Sequence, residues 1–294
     1  MIRRREFIML LGGTAAVWLL TARAQAADDR VRALLFRILS LEAEGVAATI
    51  SQFLREMESQ ISWTTQLPWS VGTIEQRRFD ALRLLRAVPA ITEIDMLDAD
   101  GKEQLHVSRL AMDVIGRNTD FSQDPKFTEA VAHKVYYGPL YLHRQSEPFM
   151  ILSLAGTRRE AGVSAAEVGL KLVWDLISRL KVGAHGVAYV LDAQDRVIAH
   201  SAMFTPPLDG ERAAYHVDVS LFQRDLSGLA QVQAARAAGT SATTQAHVAR
   251  DIDGRDVLAA SASVGPGLGW HVFVELPVAE VDTAFHDVRS GNAE

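Results

Sequence analysis

The 294-residue chain contains no cysteine. Disulfides, thiolate metal sites and cysteine nucleophiles are therefore excluded. Basic charge is in short supply as well: 30 Lys and Arg stand against 36 Asp and Glu, a net charge of −6. Residues 1–26 hold four of the Arg and one Glu, so the rest of the chain carries 26 basic against 35 acidic side chains. Phosphate backbones are bound by basic faces, which excludes nucleic acid as a partner. No Gly-x-Ser-x-Gly, P-loop or Gly-x-Gly-x-x-Gly element joins a strand to a helix, and nothing positions a Ser and a His as nucleophile and base. Gly265-Pro266-Gly267-Leu268-Gly269 lies between two apolar runs, and Pro266 withholds a donor that a phosphate would need. The nine His lack the paired spacing of zinc or iron sites, and the Asp-x-Asp-Gly turns lack the Glu that completes an EF-hand calcium loop. The sequence therefore predicts no catalytic residue, no metal and no cofactor.

A second long apolar run is also missing. Its best approximation, Val257 to Ala279, is broken by Gly265-Pro266-Gly267 and Gly269 and reads as strand, turn, strand. The first such run is N-terminal. Arg3-Arg4-Arg5 precede an apolar core from Phe7 to Leu20, and Ala24-Gln25-Ala26 gives a small-x-small exit. That pattern predicts an export signal or an N-terminal anchor over residues 1–26, and Arg4-Arg5-Glu6-Phe7-Ile8 resembles the twin-arginine export motif. The expected location is the periplasm, or the outer face of the cytoplasmic membrane if the segment is retained.

A long helix is expected next, within a stalk spanning 27–69. From Asp28 to Gln66 there is no Pro, and Val31, Leu34, Leu35, Ile38, Leu41, Val46, Ile50, Phe53, Leu54, Met57 and Ile61 recur at gaps of three and four. Asp28 or Asp29 would cap it, Pro68 would end it, and its length would be roughly 60 Å. The stripe suits packing on the body of the chain or pairing with a second copy. Thr73 to Val88 predicts a second helix stopped by Pro89.

Hairpins dominate beyond that point. Ile91 to Leu97 alternates and meets Asp98-Ala99-Asp100-Gly101, a strong turn signal. The pattern Leu-Asp-Ala, turn, base and then His recurs at Leu191-Asp192-Ala193 with His200, as at Leu97-Asp98-Ala99 with His106. The repeat implies two related modules in tandem, at 70–181 and 182–280, with a polar tail at 281–294. Further strands are expected at Phe149 to Leu154, from Val168, at Thr240 to Val248, at Val257 to Val264 and at Trp270 to Leu276. Helices are expected at Phe127 to His133, Lys171 to Lys181 and Asp225 to Ala238. The fold class is α+β: a long N-terminal helix followed by two tandem PAS-like modules with antiparallel sheets. A periplasmic solute-binding protein of a transporter is the alternative, and it requires a parallel sheet.

Several runs carry a family resemblance: Tyr137-Gly138-Pro139, Ser146-Glu147-Pro148, Gly186 to Asp192, Ile198-Ala199-His200 and Leu268 to Pro277. On these the chain resembles the double Cache sensor family, extracytoplasmic PAS-like modules of bacterial receptors, over about residues 28 to 280. The resemblance implies a membrane-distal module that binds a small molecule, a proximal module that relays, and a membrane-bound kinase or cyclase partner. No transmitter follows Pro277, the Arg-x-Trp-Tyr signature of amino-acid-binding members is missing, and Ser201-Ala202 stand where the family often has Pro-Asp. A homodimer through the long helix is the expected assembly. The candidate ligand-binding residues are Arg109, Tyr137, Tyr141, Ser146, Glu147 and Ser153: tyrosines give an apolar wall with a polar tip, and Arg109 would grip a carboxylate.

Overall fold

The structure is a computed structural model that describes residues 4–143, 147–205, 216–239, 247–265 and 267–283. The chain opens with one helix, α1 (Arg4–Ser62), which runs through the expected cap at Asp28-Asp29 without interruption. Nothing in residues 4–28 breaks it: there is no Pro, and Gly12 and Gly13 cost only about 1 kcal/mol each in propensity. α2 (Ile74–Ala87) starts at a complete capping box, in which the Thr73 hydroxyl accepts from the Gln76 amide and the Gln76 side chain accepts from Thr73.

The first sheet has seven antiparallel strands: β1 (Ile91–Leu97), β2 (Glu103–Ser108), β3 (Val114–Ile115), β4 (Val135–Tyr137), β5 (Tyr141–His143), β6 (Glu147–Ala155) and β7 (Val163–Gly169). Their order is β3-β2-β1-β7-β6-β4, with β5 also on β6. α3 (Pro125–His133) crosses one face, and α4 (Lys171–Arg179) leads out. The second sheet has five: β8 (Val187–Leu191), β9 (Val197–His200), β12 (His247–Arg250), β13 (Asp256–Val264) and β14 (Trp270–Pro277), ordered β12-β13-β14-β8-β9. β10 (Phe204–Thr205) and β11 (His216–Val217) pair with each other, and α5 (Ala230–Ala238) packs on β12 and β13.

Some boundaries differ from expectation. The strand placed from Val168 onward is β7, which ends at Gly169 where Gly169 N and Leu170 N turn to Ala90 O and Pro148 O. Helix α5 starts at Ala230, because Asp225 is used in a bridge to Arg196 and its carboxylate accepts from Ser227 N. β12 begins at His247; residues 240–246 and the tail beyond 283 lie outside the described set.

The two sheets repeat one topology. In each, an N-terminal hairpin stands at one side and its first strand pairs with the last strand, which pairs with the preceding one. Both hairpins carry a bulge at the matching place, between Met96 and Leu97 and between Val190 and Leu191. Both turns are closed by an Asp: Asp98 Oδ1 accepts from Asp100 N and Lys102 N, and Asp192 Oδ1 accepts from Gln194 N and Arg196 N. Asp251 closes the β12–β13 turn in the same way. All sheet pairings among the described residues are antiparallel, which removes the solute-binding alternative.

α1 lies along both sheets. Ala43, Val46, Ala47, Ile50 and Leu54 join the core of the second sheet with Ala188, Val190, Val272 and Val274. Met57 and Ile61, further up, join Ala81, Leu84 and Leu85 of α2 against Ile94, Met96, Leu105, Leu152 and Val168 of the first sheet. Below these seams Leu34 is 62% exposed, Ile38 54% and Leu41 56%.

Candidate ligand-binding site

Strand alternation splits the first sheet into two faces. Ile94, Met96, Leu105, Val107, Leu152, Leu154, Ala166 and Val168 are apolar and buried against α1 and α2. The residues between them are mostly polar. Register sets Glu93 opposite both Ser108 and Glu167, Asp95 opposite both His106 and Ala165, and Ser153 opposite both Ala165 and Tyr136. Tyr141 follows on β5, opposite Phe149. The second face is thus a polar floor inside an apolar frame, roofed in part by α3 and the segment before it.

Acid dominates this floor. Asp95 Oδ1 is 2.6 Å from His106 Nδ1, and Asp95 Oδ2 accepts from Lys126 Nζ at 2.8 Å. Burial pushes the Asp95 carboxyl up, but His106 and Lys126 together hold it below the usual carboxylate range. The bond to Asp95 raises His106. Lys126 also lies over the Phe121 ring, 3.5 Å from its centroid. Glu167 is buried and accepts from Tyr141 Oη at 2.6 Å and from the Thr92 hydroxyl. Burial raises Glu93, and the neighbouring Glu167 carboxylate raises it further. Burial and the bond to Glu167 raise the Tyr141 phenol. Glu103 is 2% exposed, and its Oε1 has no hydrogen-bond partner among the described residues. Ser153 is fully buried, and its Oγ has none among them either.

The sequence-derived candidates scatter over this geometry. Tyr141 and Ser153 belong to the polar face. Tyr137 points the other way, donating to Glu58 of α1. Glu147 is exposed at the start of β6. Arg109 is exposed and donates from Nε to Ile91 O at 3.0 Å and from Nη2 to Val88 O at 3.2 Å, tying the end of α2 to β1. Ser146 lies outside the described residues. Motif and spacing alone do not single out Glu93, Asp95, Glu103, Lys126 or Glu167, and they give His106 only an architectural part. Alternation within β1 and β7 is the signal that could have found Glu93, Asp95 and Glu167: acids that alternate with buried apolar neighbours.

The same face of the second sheet is filled. Tyr189 and Phe273 stack at 5.0 Å, and Tyr189 and His200 at 5.4 Å. Tyr189 Oη donates to Glu275 Oε1 at 2.5 Å, and Gln231 of α5 donates to the same oxygen at 2.8 Å. Ser261 and Glu275 repeat Ser153 and Glu167 at one common interval of sequence. Burial lowers His200 to about 4 and raises Glu275. Aromatic rings thus stand where the first sheet has Asp95 and Ala165. A cleft of about 760 Å³ lies between the two sheets, lined by Ser51, Arg55 and Glu58 of α1, by His133 and Tyr136, and by Leu268.

The Cache domain family model matches residues 23–285. Solved structures share the fold at low identity. The ligand-binding domain of the Campylobacter jejuni chemoreceptor Tlp3, in complex with 4-methylisoleucine, has a TM-score of 0.61 at 11% identity and covers 85% of this chain and 94% of its own. The ligand-binding domain of the Pseudomonas aeruginosa amino acid chemoreceptor PctC, with GABA, gives 0.59 at 15% identity, covering 84% and 99%. The extracellular domain of a candidate histidine kinase, rpHK1S-Z16, gives 0.58 at 15% identity, covering 90% and 99%. No curated protein sequence matches significantly. Among the described residues no helix is long and apolar enough to cross a membrane.

Proposed function

The chain belongs to the Cache domain family, and we propose that it is an extracytoplasmic small-molecule sensor whose ligand presents a positively charged group to the polar face of the first sheet. The observation that carries this reading is the Glu93–Glu167 pair. Two carboxylates face each other on adjacent strands, Glu167 is buried, and Glu93 is raised first by burial and then by repulsion from Glu167. An ammonium group between them would relieve that repulsion and hydrogen-bond both. The Tyr141–Phe149 stack at 6.4 Å supplies an aromatic wall, and the unpartnered Ser153 hydroxyl supplies a further contact. The solved relatives whose names include GABA and 4-methylisoleucine fit a ligand with an amine.

Output would pass along α1, which packs on both sheets, to a membrane-bound kinase or cyclase. Val31, Leu34, Ile38 and Leu41 form an exposed stripe at alternating gaps of three and four, the spacing of a two-helix seam, so a second copy is the proposed occupant. The test is a thermal-shift screen of amines and amino acids on the exported form. A hit at 100 times its dissociation constant should add about 2.7 kcal/mol, and Glu167→Gln should weaken it at least about tenfold. A panel of amines that moves no melting temperature, or a hit indifferent to Glu167→Gln, would sink the reading.

A further inference from the structure

Glu103 poses a problem that the ligand reading does not use. Simple alternation along β2 would place it with Leu105, on the apolar side. The bulge between Met96 and Leu97 sets Glu103 opposite Leu97 and brings it toward Asp95 and His106. There it is 2% exposed, with Oε1 unpartnered. One donor atom from each of Asp95, Glu103 and His106 falls within 4.8 Å of the others.

The second sheet provides an internal control. Its hairpin has the same bulge, and the position matching Glu103 is Val197, also 2% exposed and paired with Leu191. The position matching Asp95 is Tyr189, and His200 matches His106. The fold therefore accepts a valine and an aromatic ring here. Backbone and turn chemistry do not require two carboxylates. A buried carboxylate without a partner is costly and usually marks a bound cation or a proton. Lys126 neutralises one of the two acids through Asp95 Oδ2, and no comparable base reaches Glu103 among the described residues.

We propose that Asp95, Glu103 and His106 form a binding site for a divalent first-row transition metal ion. One imidazole and two carboxylates suit zinc, manganese, cobalt or nickel better than calcium or magnesium, which favour oxygen-only sets. Ligand atoms on one ion stand about 3.3 Å apart at bond lengths near 2 Å, so Glu103 must draw in while Asp95 Oδ1 and His106 Nδ1, now 2.6 Å apart, open by about 0.7 Å. The ion takes the place of the proton shared between Asp95 Oδ1 and His106 Nδ1, so uptake releases a proton. Lys126 remains on Asp95 Oδ2 as an orienting partner. The site lies beside the Glu93–Glu167 pair on the same polar face, and its test needs no organic ligand.

The experiment titrates metal-free protein with Zn²⁺, Mn²⁺, Ni²⁺, Co²⁺, Ca²⁺ and Mg²⁺ by calorimetry, and records the absorption of the Co²⁺ form. The expected result is one ion per chain with d–d bands, and an affinity lowered at least about a hundredfold by Glu103→Val. His106→Gln should lower it similarly. Glu103→Val copies the second module, so the variant should fold and melt at or above the parent temperature without metal. Circular dichroism checks the fold of both variants, and either one alone decides the outcome. Absence of binding at millimolar metal, or binding unchanged in Glu103→Val and His106→Gln, overturns the proposal. Saturation by an organic amine that depends on Glu103, with no metal uptake, overturns it too.

Discussion

His200 shows how a single residue couples the second module to pH. It is 2% exposed, stacked on Tyr189, and held neutral by burial down to about 4. Its folded pKa lies below the unfolded value near 6.5, so between about 4 and 6.5 the unfolded chain binds more protons. The stability linked to this group is fully present above pH 6.5 and is lost as pH falls toward 4. The loss should approach about 3 kcal/mol in all. Urea melts of the parent and His200→Phe across that window check it: the variant's curve should be flatter. Tyr189→Phe should cost about 1–3 kcal/mol, since Glu275 would keep only Gln231 among its two side-chain donors. Residue identity was partly legible. The His106–His200 match was plain because a turn motif marks each hairpin. The Ser153–Ser261 and Glu167–Glu275 matches were equally present but lie in strands without such a marker. What alternation alone could not show was the bulge that turns Glu103 to the polar side.

At the scale of elements, the chain is organised by turns and caps that were mostly readable. Thr73 and Gln76, Asp98, Asp192 and Asp251 all bind backbone amides as their residue types predict. Asp251→Ala should cost about 1–3 kcal/mol, because its buried carboxylate accepts from Asp253 N and Arg255 N and also from Arg255 Nε at 2.7 Å. Chemical denaturation measures this directly. Gly162→Ala should be worse. Its φ is +72°, and a Cβ there would collide with Leu97 O, so the β6–β7 connection must shift. The long helix was legible from its stripe, but its start was not, since caps at Asp28 or Asp29 are only options until packing chooses. Replacing Leu34 and Ile38 by Glu should leave the monomer's melting temperature within about 1 °C, because both are exposed. The same pair should abolish self-association by analytical ultracentrifugation if the stripe faces a second copy.

At the scale of the whole molecule, the two sheets are one design used in two ways. The first keeps charges on its polar face, and the second fills that face with Tyr189, His200 and Phe273. Binding is therefore expected at one module only. Glu167→Gln should cut ligand-induced stabilisation to about half or less at the same ligand concentration, whereas Glu275→Gln should lower stability without changing ligand affinity. A differential scanning titration of both variants separates the roles. The join between the modules is also a point of leverage, since Tyr137 donates to Glu58 across the wall of the cleft. The contact of α1 with both sheets has a further consequence. Each residue of an α-helix advances about 100° around the axis, so the seam from Ala43 to Leu54 and the seam at Met57 and Ile61 are locked in phase. One alanine inserted between them would swing the lower seam away from its sheet and unlatch one module from the other. Seven inserted residues would restore the angle to within about 20° and lengthen the rod by about two turns.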